Sequence, residues 1–499
     1  MPNKLTPLLR QCFVTAAVCI NVIGNGCGFG FPGVLLPQTQ EGSTSVELTP
    51  EEQSWIASVI SITILIGDFA MPPIMGRLGR KIGHLAVLAP IIAAWITMIF
   101  ATSFEALLIG RILQGLSFGL LVPLRSVLIG EYTSPKYRGA FLAMISLSQG
   151  FGIFFVHLIG SLLNWRHTAI ISLAFPAVSL VMTFFLPESP SWLADKGKYD
   201  KCRESFKWLR GDEEDQELEE LIQARIDYKE SYVRREHTNV HKYLFVVIRK
   251  KEFYKPIILM MHVFPLMYLA GSMNMAVYAT KIIELIMGPT VNLNFWMVAL
   301  DSQRIVSNAL AIYAIHKLRR RTMIFFTGGV CVGSHLAIAA YTYARMKGIL
   351  PYDAVWIPAL LLNLQIFSIA MGMVPLPSVI AGEVFPLEYR STSGSISTGL
   401  VSGFMFFLLK TFPTLVENIG IYGTYTFYAG LLIYCLVVIW FMLPETKGQT
   451  LQQIEDRYKE VKEPSAEDGE AREKLQNGSR ETKEKNNSSQ SSPLMESSP

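Results

Sequence analysis

The chain has 499 residues, 51% of them hydrophobic and only 17% charged, with a formal net charge of +4 at pH 7. Soluble chains average about a quarter charged residues, so this composition suits lipid as the solvent. The basic residues sit in short clusters between apolar runs, which excludes the continuous basic stripe that nucleic acid would need.

Crossing the hydrocarbon core takes about 20 predominantly apolar residues in a helix. Twelve segments qualify, at approximately 12–36, 55–75, 84–103, 106–129, 139–163, 167–186, 256–286, 294–315, 322–344, 354–381, 393–416 and 421–443. The chain therefore reads as an all-α membrane protein. The lead 1–11 is short and polar, and the run after it is too long for a signal-peptide core and has no persuasive cleavage site. It is expected to remain as the first helix.

Orientation follows from loop charge, because Lys and Arg stay on the cytoplasmic side. Residues 37–54 carry Glu41, Glu47, Glu51 and Glu52 but no Lys or Arg, and should face outward. Arg77, Arg80 and Lys81, then Lys136 and Arg138, then Lys317, Arg319, Arg320 and Arg321 fall in loops that should face the cytosol. Arg166, and Arg345 with Lys347, lie on the other side and weaken the asymmetry. The expectation is a multi-pass protein of the plasma membrane with both termini cytosolic.

Five regions result: the N-terminus 1–11, a six-helix bundle 12–193, a central loop 194–253, a second bundle 254–448 and a tail 449–499. The central loop alternates acidic and basic residues with scattered apolar ones, which predicts short amphipathic helices at the cytosolic face. The tail is rich in Glu, Lys, Ser and Asn with almost no aromatics, so it cannot bury enough surface to fold alone.

Cys12, Cys19, Cys27, Cys331 and Cys435 fall in apolar stretches and Cys202 in the charged loop, with neither disulfide-framework nor metal-ligand spacing. Nothing reads as a phosphate loop or an activated nucleophile. No metal, cofactor, enzymatic activity or obligate protein partner is expected; the partners are the bilayer and a small solute.

The two bundles repeat each other. Gly130-Glu131, six residues and Arg138 recur as Gly382-Glu383, six residues and Arg390; Pro187-Glu188-Ser189-Pro190 recurs as Pro444-Glu445-Thr446-Lys447. A twofold parallel repeat explains this.

Several motifs in this order resemble those of the sugar porter family of the major facilitator superfamily. Gly110-Arg111, Gly115 and Gly119 match its helix 4 signature; Pro187 to Leu193 match the end of helix 6; Pro444 to Leu451 match the end of helix 12; Pro375 and Pro377 remain of its helix 10 pattern. Lys410-Thr411-Phe412 is similar to a subgroup that includes insect facilitated trehalose transporters and animal facilitative hexose transporters. The resemblance implies the major facilitator fold, with twelve transmembrane helices in two pseudo-symmetric six-helix bundles, and transport by alternating access. Glycines at 110, 115 and 119 would let helix 4 approach a neighbour closely.

Charged residues at the cytosolic helix ends could then latch the closed inner face: Glu131, Glu188, Glu383 and Glu445 as acceptors, with Arg111, Arg138, Arg320, Arg321 and Arg390 as donors. Exposed pairs contribute about 0–1 kcal/mol each, so several bias an equilibrium without trapping it. A role as plain interface anchors stays open.

For the solute, the family contributes amides, hydroxyls and rings from helices 5, 7, 10 and 11. The corresponding positions are Ser146, Gln149, Tyr268, Asn274, Tyr278, Ser378 and Ser402. Several Gln and Trp contacts of the family are absent, since Ser146, Ser378 and Ser402 stand where it has Gln, Trp and Trp.

Asp68, Asp301 and Arg304 are ionisable groups at membrane depth, each costing about 2.5–3.5 kcal/mol at the bilayer centre. Asp301 and Arg304 are three apart on one helix and close enough to pair. Either a charged cavity or a structural pair fits them. Arg125 and Lys410 add positive charge, and His157 and His262 read as packing or cavity-lining residues. The first helix lacks the acid that proton-coupled sugar porters commonly place there. The expectation is a facilitative transporter of trehalose or a hexose. A carrier of a charged or less polar solute, with proton coupling through Asp68 or Asp301 left open, and a non-transporting sugar sensor are the alternatives.

Overall fold

The computed structural model describes residues 5–39, 46–211, 214–223, 226, 250–350, 353–385 and 390–446. Among them, ten helices are long and apolar enough to cross a membrane. The last of these, Arg390–Met442, is two helices meeting at Gly420, whose φ of 70° and ψ of 171° are not helical. Leu293–Lys317 is as long as the others but carries Asp301, Gln303, Arg304 and Asn308, which lower its hydropathy. Counted this way there are twelve spans.

Spans 1 to 6 are Leu5–Gln38, Pro50–Leu78, Arg80–Ile99, Phe104–Tyr132, Pro135–Leu162 and Trp165–Phe184. Span 7 is built from Lys251–Leu269, Ser272–Val277 and Ala279–Met287; span 8 is Leu293–Lys317 and span 9 is Arg320–Met346. Span 10 is Trp356–Ser368, a π turn Ile369–Met373 and Pro375–Val384, and spans 11 and 12 flank Gly420. With an even number of crossings, Leu5 and Thr446 lie on one face, called basal here; the opposite face is distal.

Side-chain caps set where spans begin. Thr49 and Glu52 form a reciprocal capping box at span 2, while Ser103, Asn164 and Asn292 accept from backbone N–H groups at spans 4, 6 and 8. Small residues set how closely spans approach. A methyl group on Gly119 would lie 2.1 Å from the Ile64 carbonyl oxygen, and one on Gly115 2.0 Å from Thr63 Oγ1. Spans 2 and 4 therefore touch backbone to backbone. Spans 1 and 5 do likewise, through Gly26 and Gly152.

Two spans are broken. Span 7 turns at Gly271, whose φ of 94° only glycine adopts readily, and again at Tyr278. Span 10 widens into the π turn just before Pro375, which has no N–H to offer the preceding ladder. Broken helices are tolerated at membrane depth where they border protein or a cavity.

Spans 1–6 and 7–12 pack as two halves, meeting where span 2 lies against span 11, span 5 against span 8 and span 1 against span 7. At the basal face Pro190–Asp195, Tyr199–Arg210 and the helical residues 215–223 share a small core of Cys202, Phe206, Leu218 and Ile222. Gln11 donates to Ser134 Oγ and the Leu209 carbonyl, and Arg210 donates to the Thr133 carbonyl, docking this segment on the first half. Residues 227–249 of the central loop and the 449–499 tail lie outside the described residues.

Candidate functional site

Three features carry charge or unsatisfied polarity inside the bundle. The first is a pair of basal caps. Arg80 Nε and Nη2 donate to Glu131 Oε2 and Oε1 at 2.8 and 2.7 Å, and Glu188 Oε1 accepts the Arg80 and Lys81 backbone N–H groups at 2.8 and 3.2 Å. The Ser189 hydroxyl closes the cap on Glu131. Gly79 makes room, because a methyl there would sit 2.2 Å from Glu188 Oε2. A carboxylate at a helix N-terminus also meets the positive end of the helix dipole.

The second half repeats the arrangement. Arg320 Nε and Nη2 donate to Glu383 Oε1 at 3.1 and 3.0 Å, Glu445 accepts the Arg320 and Arg321 N–H groups at 3.1 and 3.3 Å, and Thr446 Oγ1 donates to Glu383 at 2.5 Å. Each cap closes within its own half. Arg80, Ser189 and Thr446 were not anticipated as members. Arg321 instead caps the end of span 12, its guanidinium on the Trp440 carbonyl and ring. Arg138 Nε is buried without a hydrogen-bond partner, and the Arg390 side chain lies outside the described residues.

Arg111 departs from expectation. It lies two turns from the distal start of span 4, fully buried, and donates to the carbonyls of Ile56 and Gly28 and to Gln114 Oε1 at 3.0, 2.5 and 2.6 Å. It ties spans 1, 2 and 4 together and does not reach the basal caps.

The second feature is a buried charge cluster on the distal half of the seam. Asp301 Oδ1 accepts from Arg304 Nη2 at 2.6 Å, as their spacing on one helix predicted. Asp301 Oδ2 also meets His157 Nδ1 from the other half. His157, expected to be a packing or cavity-lining residue, is thus a partner of Asp301 across the seam. A lone histidine in an apolar run gave no hint of which helix it would face. Nearby, Ser54 Oγ donates to the Lys410 carbonyl at 3.2 Å and the Lys410 ammonium lies 4.2 Å from the Trp55 ring. Asp68 stays half-buried on span 2, with no ion-pair partner among the described residues.

The third feature is a cavity in the second half, lined by Asn274 and Gly271 of span 7, His335 of span 9, Gln365 of span 10, Phe412 of span 11, and Tyr425 and Tyr428 of span 12. Its volume of about 10 Å³ is that of a single water site. Gln365 Nε2 donates at 3.0 Å to the Ala270 carbonyl freed by the break at Gly271, and Tyr425 donates to Gln365 Oε1 at 3.4 Å. Asn274 and the Tyr428 hydroxyl face each other, but neither Asn274 Nδ2 nor that hydroxyl makes a hydrogen bond of good geometry. Buried groups in that condition cost about 1–3 kcal/mol each until a partner arrives.

Of the seven expected solute contacts, Asn274 alone lines this cavity. Tyr278 spends its hydroxyl on the Leu409 carbonyl at 3.2 Å and stacks on Phe412. Gln149 accepts from Arg125 at 3.1 Å. Tyr268 and Ser402 are buried elsewhere in spans 7 and 11, and Ser146 and Ser378 are exposed. Gln365, His335, Tyr425 and Tyr428 were missed, since an isolated polar residue in an apolar run does not declare which neighbour it meets.

Residues 11–458, nearly the whole described structure, match the family described as Sugar (and other) transporter. The chain belongs to that family. The chain is 27% identical over 440 residues to a facilitated trehalose transporter Tret1 of Bombyx mori, covering 88% of this chain and 85% of that one. A Tret1 of Apis mellifera ligustica is 25% identical over 462 residues, covering 91% and 90%. Among solved structures, the proton:xylose symporter XylE bound to 6-bromo-6-deoxy-D-glucose superposes with a TM-score of 0.68 at 17% identity, over 92% of this chain and all of that one. The inward open xylose transporter XylE from E. coli gives 0.66 at 16%, over 90% and 98%. These likenesses establish the major facilitator fold. As a member of the sugar transporter family, the chain is a multi-pass integral membrane transporter and not an enzyme.

Proposed function

We propose that the chain carries a neutral sugar, trehalose or a hexose, down its gradient by alternating access, with the second-half cavity as its contact site. The observation that carries this reading is the lining: carboxamides of Asn274 and Gln365, the imidazole of His335 and the phenols of Tyr425 and Tyr428, with no formal anion or guanidinium among them. Sugars need several directional hydrogen bonds and an aromatic face, and this set offers both. A hexose is far larger than one water site, so the cavity must widen to admit it. The breaks at Gly271 and at the π turn flank the cavity and are where spans 7 and 10 can bend.

The relatives named as facilitated trehalose transporters support the facilitative mode, as does the absence of Asp and Glu from span 1. The 6-bromo-6-deoxy-D-glucose bound to the solved XylE, a hexose derivative, keeps the hexose option alongside trehalose. The reading that needs an ionic solute has less support, because Asp301 is held by Arg304 and by His157.

In this proposal the basal face is cytosolic and the membrane is the plasma membrane, following the basic clusters at Arg80, Lys136 and Arg319–Arg321. The two caps hold each half together so that it moves as one body. Reconstituted protein should equilibrate labelled trehalose or glucose saturably, without concentrating it when a pH gradient is imposed. Concentrative uptake under that gradient, or saturable uptake of an ionic solute alone, overturns the reading, and binding without flux assigns a sensor instead.

A further inference from the structure

We propose that His157 and Asp301 share one titratable proton that holds the distal seam closed, so that pH on that side sets how often the face opens. In the orientation proposed above, that side is the cell exterior.

His157 is fully buried, and its Nε2 lies 3.0 Å from the Gly30 carbonyl oxygen of span 1 and 3.2 Å from the Ala276 carbonyl oxygen of span 7. Both are acceptors only, so Nε2 carries a hydrogen. Nδ1 then faces Asp301 Oδ2. With a bare Nδ1 and an ionised Asp301, two lone pairs would oppose each other inside a buried contact. A proton therefore lies between them, whether it is described as imidazolium with carboxylate or as imidazole with carboxylic acid. Both descriptions hold one proton, and the pair titrates as a unit.

Parting the halves divides this cluster unequally. Asp301 keeps Arg304, its neighbour on the same helix at 2.6 Å, and remains ionised. His157 leaves with the first half, becomes hydrated and loses the carboxylate that shared its proton. Opening then releases that proton to the distal water and closing takes one up. The closed state is thus the one that binds the proton. Closure is favoured at low pH and lost as pH rises, by up to about tenfold in the closed-to-open ratio per pH unit.

No other charge among the described residues contacts the imidazole. Spans 1 and 7 present carbonyls to it; Tyr278 of span 7 bonds to the Leu409 carbonyl; Arg125 of span 4 is held by Gln149; Lys281 and Glu284 pair with each other at 3.7 Å. Because the proton enters and leaves on the same side, none crosses the membrane in a cycle. It regulates the gate and is not cargo, which agrees with facilitative transport.

The test needs no sugar, so its outcome is separable from that of the substrate proposal. Spin labels on L162C of span 5 and F295C of span 8, in a C12S background, report the distal separation of the halves by pulsed electron resonance. The long-distance population should rise from pH 6 to pH 8, by up to about tenfold per unit. H157Q should flatten the profile. D301N, whose carboxamide can donate to a neutral Nδ1, should stay closed at both pH values. A flat profile in the otherwise native chain overturns the proposal on its own, and so does either variant that folds and still follows the native curve.

Discussion

Arg80 grips both carboxylate oxygens of Glu131, and its counterpart Arg320 grips Glu383 at the same place in the other half. These contacts are half-buried, where a hydrogen bond to a charged group contributes about 1.5–3 kcal/mol. Arg320→Ala and Glu383→Gln should each lower thermal stability by that order. Their effects should couple in a double-mutant cycle, because they share one contact, whereas Arg80→Ala with Arg320→Ala should add. Coupling between the two arginines would show that the caps communicate across the halves.

Asn274 offers a buried amide with no settled partner, while Tyr278 has already given its hydroxyl to Leu409. Losing one sugar hydrogen bond of about 1–1.5 kcal/mol corresponds to a five- to tenfold change. Asn274→Ala and Tyr428→Phe should raise the half-saturation concentration for counterflow by about that factor. Tyr278→Phe should move it little. An unchanged value in Asn274→Ala removes the cavity from the transport path.

The close approach of spans 2 and 4 predicts intolerance at two glycines. Gly119→Val should abolish the monodisperse peak in fluorescence-detected chromatography, since even a methyl would lie 2.1 Å from the Ile64 carbonyl oxygen. Gly382→Ala, with nothing within 4 Å, is the matched control and should be silent. Normal folding of the valine variant would mean that the two spans can separate.

Burial pushes the Cys202 thiol up to about 11 from an ordinary value of 9.0. The thiolate is the reactive form, so at neutral pH its concentration falls about a hundredfold. Cys202 should resist maleimide at pH 7.4, react progressively faster as pH approaches 11, and lose that protection in a Phe206→Ala variant that loosens its small core. Rapid labelling at pH 7.4 in the native chain would place the thiol in water.

The bundle was legible because its signals are local. Apolar length, loop charge and repeated Gly-Glu and Pro-Glu motifs each read along the chain, and Asp301 with Arg304 needed only helical spacing. What failed to read is contact between helices distant in sequence. His157 finds Asp301 144 residues away, and Gln365 finds Ala270 95 residues away. Neither meeting leaves a mark on its own segment. The caps were half legible: their acids recur in the sequence and so do the basic turns at Arg80-Lys81 and Arg320-Arg321, but nothing along the chain shows that the backbone N–H groups of those turns donate to the acids.

Spans 11 and 12 are joined at Gly420 alone, where positive φ and the Tyr422 ring 2.8 Å from an added methyl leave room for no side chain. A one-residue elbow has no slack. Whatever tilt span 11 undergoes along the interface with span 2 is passed directly to span 12, which lines the cavity through Tyr425 and Tyr428. The joint thereby works as a lever arm, converting movement at the seam into a change of shape around that cavity.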